Sequence, residues 1–144
     1  MNEPVTRILD QKTEPLELIS PRASVNDAII RMNERHIGSV LVMDGERLVG
    51  IFTERDVLTR VVPNHLDPEK IPVGEVMTRQ PITIAPSTTV EEAMMVVSDT
   101  RRRHLPVVQA GRVVGMISIG DLTRFMVRDQ KRTIDDLIDY VQRS

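Results

Sequence analysis

The chain has 144 residues, of which 40% are hydrophobic and 28% charged, a composition typical of a globular protein. Nineteen Lys and Arg against 21 Asp and Glu give a formal net charge of −2, which disfavours a non-specific nucleic-acid binder because such proteins are basic. The sequence has no cysteine, which excludes disulfides, thiolate nucleophiles and Cys-ligated zinc. We find no secretory signal and no apolar run near the roughly 20 residues of a membrane span, so we expect a cytoplasmic protein outside the membrane.

The two halves of the chain are copies of one another. A shift of 65 positions places residues 19–62 on residues 84–127 without a gap, and ten positions are identical, far more than chance gives. The identical pairs are Ile19/Ile84, Pro21/Pro86, Val25/Val90, Ala28/Ala93, Val42/Val107, Arg47/Arg112, Val49/Val114, Gly50/Gly115, Asp56/Asp121 and Val62/Val127. We therefore predict an internal duplication.

Each copy predicts the same order of elements. A short extended segment, 18–20 or 82–84, leads to a helix opened by a capping box at Ser24 or Thr89. Two strands follow, joined in the first copy by the hairpin signal Asp44-Gly45. A second helix is predicted to begin directly after the second strand.

Further segments flank this repeated pattern. Short helices are predicted near residues 5–9 and 73–77, while three prolines exclude a helix from the link between the copies. A C-terminal helix from Thr133 has an apolar stripe, which we expect to cover either the rest of the chain or a second subunit. The predicted division is a first domain at 5–62, a linker at 63–72, a second domain at 73–128 and the C-terminal helix at 129–144.

One motif recurs where a strand meets a helix. Gly50-Ile51-Phe52-Thr53-Glu54-Arg55-Asp56 matches Gly115-Met116-Ile117-Ser118-Ile119-Gly120-Asp121. A capping box alone explains the hydroxyl and the Asp, because both side chains bond backbone N–H groups at the start of the helix. The same arrangement suits a nucleotide, since free N–H groups at a helix N-terminus attract phosphate and a carboxylate accepts hydrogen bonds from two ribose hydroxyls. Repetition at identical spacing favours the nucleotide.

These motifs, together with Ile37-Gly38-Ser39-Val40-Leu41-Val42 and Arg103-His104-Leu105-Pro106-Val107-Val108, resemble a pair of cystathionine-β-synthase (CBS) domains, also called a Bateman module. The resemblance extends from about Val5 to Val127. It implies an α+β fold in which two tandem β-α-β-β-α repeats pack sheet against sheet about a pseudo-twofold axis. The two clefts of such a pair bind adenine nucleotides such as AMP, ADP, ATP, NAD or S-adenosylmethionine.

The resemblance also implies the residues of two nucleotide sites. In the second copy, Asp121 would bind the ribose hydroxyls, Ser118 would contact phosphate or ribose, and Ile82 would contact adenine. The other residues of that site would be Thr78, Arg102, Arg103 and His104, the last two directed at phosphates. The first-copy counterparts would be Glu17, Ile37, Gly38, Ser39, Thr53 and Asp56, with Arg55 and Lys12 as added cations. Since the first copy has Gly38-Ser39 in place of Arg103-His104, we expect its site to be less cationic and weaker.

The implied function is that of a stand-alone regulatory module, not an enzyme, that binds an adenine nucleotide and signals in trans to an effector protein. We expect a homodimer formed through the second helices, and no obligatory cofactor or metal beyond Mg²⁺ accompanying a polyphosphate. An enzyme is one alternative, although the chain has no P-loop, no H-E-x-x-H pattern and no evident Ser/His/Asp set. The other alternative is a non-nucleotide structural adaptor or a DNA-contacting protein that uses Arg101, Arg102 and Arg103, and the pI near 5.9 argues against DNA.

Overall fold

In the computed structural model, which describes residues 2–143, the chain forms two small sheets packed against helices. The first repeat contains α1 (Thr6–Gln11), β1 (Leu18–Ile19), α2 (Val25–Arg35), β2 (Ser39–Asp44), β3 (Arg47–Thr53) and α3 (Glu54–Asp56), which continues as a π-helical segment (Val57–Val61). The second repeat contains α4 (Val73–Val76), β4 (Thr78–Arg79), α5 (Val90–Thr100), β5 (His104–Gln109), β6 (Arg112–Ser118) and α6 (Ile119–Arg143). The predicted α+β fold is confirmed.

The two sheets repeat one pattern of strand pairing. The larger sheet has the order β1-β2-β3-β4, with β1 parallel to β2 and the other neighbours antiparallel. In the smaller sheet β5 and β6 form an antiparallel hairpin, and Ile84 bridges Val107 in parallel, as β1 does with β2. The register shifts after Val42 in one hairpin and after Val107 in the other, so the duplication includes a β-bulge.

Side-chain caps begin the helix that follows the first strand of each repeat. The hydroxyl of Ser24 accepts a hydrogen bond from the Asp27 N–H at 3.1 Å, and the hydroxyl of Thr89 accepts one from the Glu92 N–H at 3.1 Å. The predicted helices α2 and α5 are thereby confirmed at their first residues.

The two repeats exchange their leading helices. The core of the first repeat contains Val73 and Val76 of α4, whereas the core of the second contains Ile8 of α1 and the preceding Val5. The exchange is reciprocal, as a pseudo-twofold relation between the repeats requires. Each core is therefore completed by a helix from the sequence of the other repeat.

Glycines of the repeated motif make this exchange possible. A Cβ atom on Gly50 would lie 2.5 Å from the sulfur of Met77, just after α4. A Cβ on Gly115 would lie 2.5 Å from Cδ2 of Leu9 in α1. Both glycines thus allow close packing of the exchanged segment on the second strand of the opposite repeat.

The C-terminal part of the chain is one helix rather than the two predicted. α6 runs without interruption from Ile119 to Arg143, because no Gly or Pro follows Gly120 to break it. The predicted apolar stripe lies on this helix and is exposed, so it does not cover the rest of the described chain. Its residues are Ile134, Leu137, Ile138 and Val141.

Candidate nucleotide-binding site

Both copies of the motif form the capping box expected from the sequence. The Thr53 N–H donates to Oδ2 of Asp56 at 2.9 Å, and the Asp56 N–H donates to the Thr53 hydroxyl at 3.3 Å. In the second copy the Ser118 N–H donates to Oδ2 of Asp121 at 2.9 Å, and the Asp121 N–H donates to the Ser118 hydroxyl at 3.1 Å. Each carboxylate is thus held at the start of its helix by local bonds.

The expectation that these helix starts offer free N–H groups to an anion is wrong for two of the first three N–H groups. In the first copy the first helical N–H, that of Glu54, donates to the Gly38 carbonyl at 3.1 Å. In the second copy the Ile119 N–H donates to the Arg103 carbonyl at 2.8 Å. The third is taken by the capping hydroxyl. Any ligand at these junctions must therefore be recognised mainly by side chains.

A cavity of about 760 Å³ opens in front of Asp121, and we call it the inter-repeat cavity because both repeats line it. Eight of the residues predicted from the sequence lie along it: Lys12, Glu17, Ile37, Gly38, Ser39, His104, Ser118 and Asp121. The expectation that each copy builds a site from its own residues is therefore wrong. The start of β2 in the first repeat faces the β6–α6 junction of the second, which brings the two sets together.

Asp121 is held between two cations. Lys12 Nζ donates to its Oδ2 at 2.9 Å and to the Met116 carbonyl at 2.9 Å, while the Arg124 guanidinium donates to Oδ1 at 2.8 Å. Burial by itself would raise the pKa of Asp121, but the hydrogen bonds from the Ser118 N–H and Lys12 outweigh burial and leave the pKa below its ordinary value. The carboxylate is ionised at neutral pH and oriented at the cavity.

His104 stands where the two repeats meet at this cavity. A Cβ on Gly38 would lie 3.4 Å from the His104 ring, an ordinary contact distance, so the start of β2 and the imidazole lie side by side. Burial lowers the pKa of His104 below its ordinary value of 6.5. Glu54 and Asp121 oppose this shift, whereas Arg103 adds to it. The imidazole is therefore neutral at pH 7.

Asp56, the counterpart of Asp121, has a different environment. Its side chain is only 5% exposed and accepts a hydrogen bond from the buried Thr78 hydroxyl at 3.0 Å. The Arg60 guanidinium lies 3.7 Å from the same oxygen, and Thr53 completes the set. Thr78 was predicted to join Asp121, and the structure places it on Asp56 instead.

The remaining predicted residues do not line the inter-repeat cavity. Arg55, Arg102 and Arg103 are exposed, and Ile82 packs against the core of the second repeat. The structure does not group Ile82, Arg102 and Arg103 with Asp121. Ile82 lies just before Ile84, which pairs with β5 of its own repeat, and the two arginines are exposed.

Sequence reasoning missed several residues of the site, and Arg124 is the one among them that contacts Asp121. Arg124 lies three residues after Asp121 on α6, a spacing that puts both side chains on one helix face and could have indicated the pair. It also lines a smaller adjoining cavity of about 260 Å³ together with Lys12 and Arg128. The two cavities meet at Lys12, Asp121 and Arg124.

Two general features of the described residues bear on function. Within residues 2–143, no group of three or more His, Asp or Glu side chains is placed to hold a metal ion. No helix in that range combines the length and apolarity needed to cross a membrane.

The duplicated fold and motif define a tandem pair of CBS domains. The CBS domain family matches residues 5–63 and 73–128, and the chain belongs to this family. The CBS domain-containing protein CBSX3, mitochondrial, of Arabidopsis thaliana is 36% identical over 124 residues, which are 83% of this chain and 60% of that protein. The chain thus spans less than two thirds of that relative.

Solved structures share the fold. The crystal structure of the CBS domain NE2398 is 37% identical and superposes with a TM-score of 0.83 over 87% of this chain and 98% of that one. The CBS domain protein PAE2072 from Pyrobaculum aerophilum, complexed with AMP, is 24% identical with a TM-score of 0.73 over 82% of this chain and 88% of that one. At this identity the second comparison concerns the fold alone.

Proposed function

We propose that this CBS pair is a regulatory module that binds an adenine nucleotide in the inter-repeat cavity and signals in trans to an effector protein. The observation that carries the proposal is the ionised carboxylate of Asp121, oriented at a cavity of about 760 Å³ that both repeats line. Small-molecule sites commonly have volumes of roughly 300–1,000 Å³, so a mononucleotide is of suitable size. A ligand bridging both repeats would change their relative packing, which gives a signal its physical basis.

Each part of a nucleotide finds a suitable side chain there. Asp121 would accept hydrogen bonds from the ribose hydroxyls, each worth about 1.5–3 kcal/mol because the acceptor is charged. Ile37 and Val114 offer apolar contact to the base. Lys12, Arg124 and His104 supply donors for phosphate.

The class of nucleotide follows from the same geometry. PAE2072 of Pyrobaculum aerophilum is a protein of this fold in complex with AMP, which supports AMP as the first ligand to test. The adjoining cavity, with Arg124 and Arg128, leaves room for additional phosphates of ADP, ATP or NAD. Mg²⁺ would then be held mainly by phosphate oxygens.

We further propose a single principal site in each chain. The Asp56 carboxylate is bonded to the buried Thr78 hydroxyl, a partner that has no other place to go when a ribose displaces it. At Asp121 the displaced partner is Lys12, which is 32% exposed and lines the inter-repeat cavity. The sequence also predicted a weaker first-copy site, but from Gly38 and Ser39, which line the cavity of Asp121 instead. The effector protein and a cytoplasmic location stay predictions. The relative CBSX3 of Arabidopsis thaliana is a mitochondrial protein.

A homodimer is the proposed assembly. Leu58 and Val62 near the end of the first repeat and Val127 on α6 are exposed apolar side chains, as is the stripe on the last turns of α6. α6 carries four cations and one Asp in residues 124–132, but three Asp and one Arg in residues 133–143. Two antiparallel copies of α6 would therefore pair opposite charges while covering the apolar stripe. Light scattering at micromolar concentration should give twice the chain mass, and Leu137→Asp should give a monomer.

The test of nucleotide binding uses the ribose. Wild-type protein and Asp121→Ala are titrated calorimetrically with AMP and with 2′-deoxy-AMP. We expect wild type to prefer AMP by at least about tenfold, and Asp121→Ala to bind both ligands equally weakly, because only the carboxylate reads the 2′-hydroxyl. Equal AMP affinity in both proteins would contradict the ribose assignment. Mass spectrometry of the incubated nucleotide distinguishes an enzyme, which would convert it, from a regulatory module.

A further inference from the structure

Lys12 forms an ion pair across the two repeats at the mouth of the proposed site. It follows α1 directly and reaches Asp121 from a distance of 109 residues in sequence. Its Nζ donates to Asp121 Oδ2 and to the Met116 carbonyl, both at 2.9 Å, and its side chain is 32% exposed against 10% for Asp121. The ion pair therefore occupies the carboxylate to which the ribose would bind.

The cation near Asp56 is Arg60 of the same helical segment, and the position equivalent to Lys12 is not a cation. The residue equivalent to Lys12 under the 65-residue shift is Met77, which is buried in the first core. Lys12 is thus a feature of the Asp121 site alone, and its charge requires a separate explanation.

We propose that Lys12 is a specificity-determining residue that makes ligand binding depend on a phosphate group. The inference rests on the proposed function, since it assumes that a ribose binds Asp121. When two ribose hydroxyls bond the carboxylate, they displace Lys12 from Oδ2. Lys12 then loses its anionic partner, and a neutral nucleoside offers no replacement.

A phosphate supplies the missing anion. Lys12 lines both the inter-repeat cavity and the adjoining cavity, so its ammonium group can leave Asp121 and stay within the site. Lys12, Arg124 and Arg128 line the adjoining cavity together with two carboxylates, Glu14 and Asp121. With the ribose hydroxyls bonded to Asp121, the cations exceed the remaining carboxylate, which favours an anion there. A nucleoside monophosphate thus exchanges one ion pair for another, whereas adenosine satisfies the carboxylate but leaves the Lys12 ammonium group without an anion.

The experiment compares AMP with adenosine by titration calorimetry. Four proteins are used: wild type, Lys12→Met, Lys12→Arg, and Lys70→Met as a control that removes an exposed lysine from the linker. Lys12→Met introduces at position 12 the residue found at the equivalent position 77, which packs in the core of the first repeat. Lys12→Gln serves as a second uncharged variant, so the result does not depend on the folding of one protein.

We expect the preference of wild type for AMP over adenosine to fall at least about tenfold in Lys12→Met and Lys12→Gln. AMP should bind more weakly because the cation is gone, and adenosine should bind as well or better because Asp121 is released. Lys12→Arg and Lys70→Met should keep the wild-type preference.

Two results would overturn the inference. If wild type binds AMP but the uncharged variants keep its preference, Lys12 does not select for phosphate, while the proposed function stands. If wild type binds neither ligand, the proposed function fails and the inference fails with it.

Discussion

The two aspartates of the duplicated motif occupy the same local geometry and different surroundings. Asp56 and Asp121 each accept a hydrogen bond at 2.9 Å from the residue that caps their helix. Beyond the cap, Asp56 bonds the neutral hydroxyl of Thr78 in a closed, buried cluster, whereas Asp121 bonds Lys12 beside a large cavity. Thr78 and Lys12 both come from the segments that follow the exchanged helices. The motif therefore fixes the cap, and the segment from the opposite repeat determines whether the carboxylate lies in a closed cluster or beside the cavity.

The largest expected effect is a difference between Asp56→Ala and Asp121→Ala in the free energy of unfolding. Asp56→Ala leaves the buried Thr78 hydroxyl and the Thr53 N–H without a partner, and each such group costs about 1–3 kcal/mol, so we expect a loss of about 3 kcal/mol. Asp121→Ala likewise leaves the Ser118 N–H without its partner, but it orphans no buried hydroxyl, and Lys12 and Arg124 can reach water, so we expect a loss of about 1 kcal/mol. Urea unfolding of both variants measures the difference. Equal losses, or a larger loss at Asp121, would show that the Asp56 cluster is not the structural one.

The next effect concerns the glycines on which the exchanged segments pack. A Cβ on Gly50 would approach the Thr78 backbone carbonyl at 2.8 Å, and backbone cannot move aside easily. A Cβ on Gly115 would meet only side-chain atoms of Leu9, the nearest at 2.5 Å. Gly50→Ala should therefore cost about 1–3 kcal/mol by overpacking, and Gly115→Ala distinctly less. Thermal unfolding tests the order, and a reversed order would contradict the account of the exchange.

The smallest expected effect is a pH dependence that only one repeat should have. Burial lowers the pKa of His104, so the unfolded chain takes up its proton first, and stability is lost as pH falls below about 6.5 toward the lowered value. The counterpart in the first repeat is Ser39, which does not titrate. His104→Gln should therefore flatten the stability profile in this window. An unchanged profile would mean that other groups produce the dependence.

Local features of the fold could be predicted from the sequence, and long-range pairings could not. The caps at Ser24 and Thr89 and the motif at Asp121 depend on residues three positions apart, which a sequence displays directly. The pair between Lys12 and Asp121 joins residues 109 positions apart and exists because α1 crosses to the other core. For the same reason the sequence analysis placed Thr78 with Asp121, in its own copy, whereas Thr78 bonds Asp56 of the other copy.

The unbroken α6 is an exception among the local features. The apolar stripe of Ile134, Leu137, Ile138 and Val141 predicts a separate helix from Thr133, whereas one helix runs from Ile119 to Arg143. Helix continuity depends on the backbone, and the sequence after Gly120 contains no residue that would break it.

Titration of AMP into wild type, Asp121→Ala and Asp56→Asn tests most directly whether the opposite repeat makes one aspartate a ligand site and the other a structural residue. Asn at position 56 keeps an acceptor for Thr78 and so favours a folded protein. The account predicts one tight site per chain, an affinity at least about tenfold weaker in Asp121→Ala, and a change within about twofold in Asp56→Asn. Two equal sites, or binding that survives Asp121→Ala and is lost in Asp56→Asn, would contradict it.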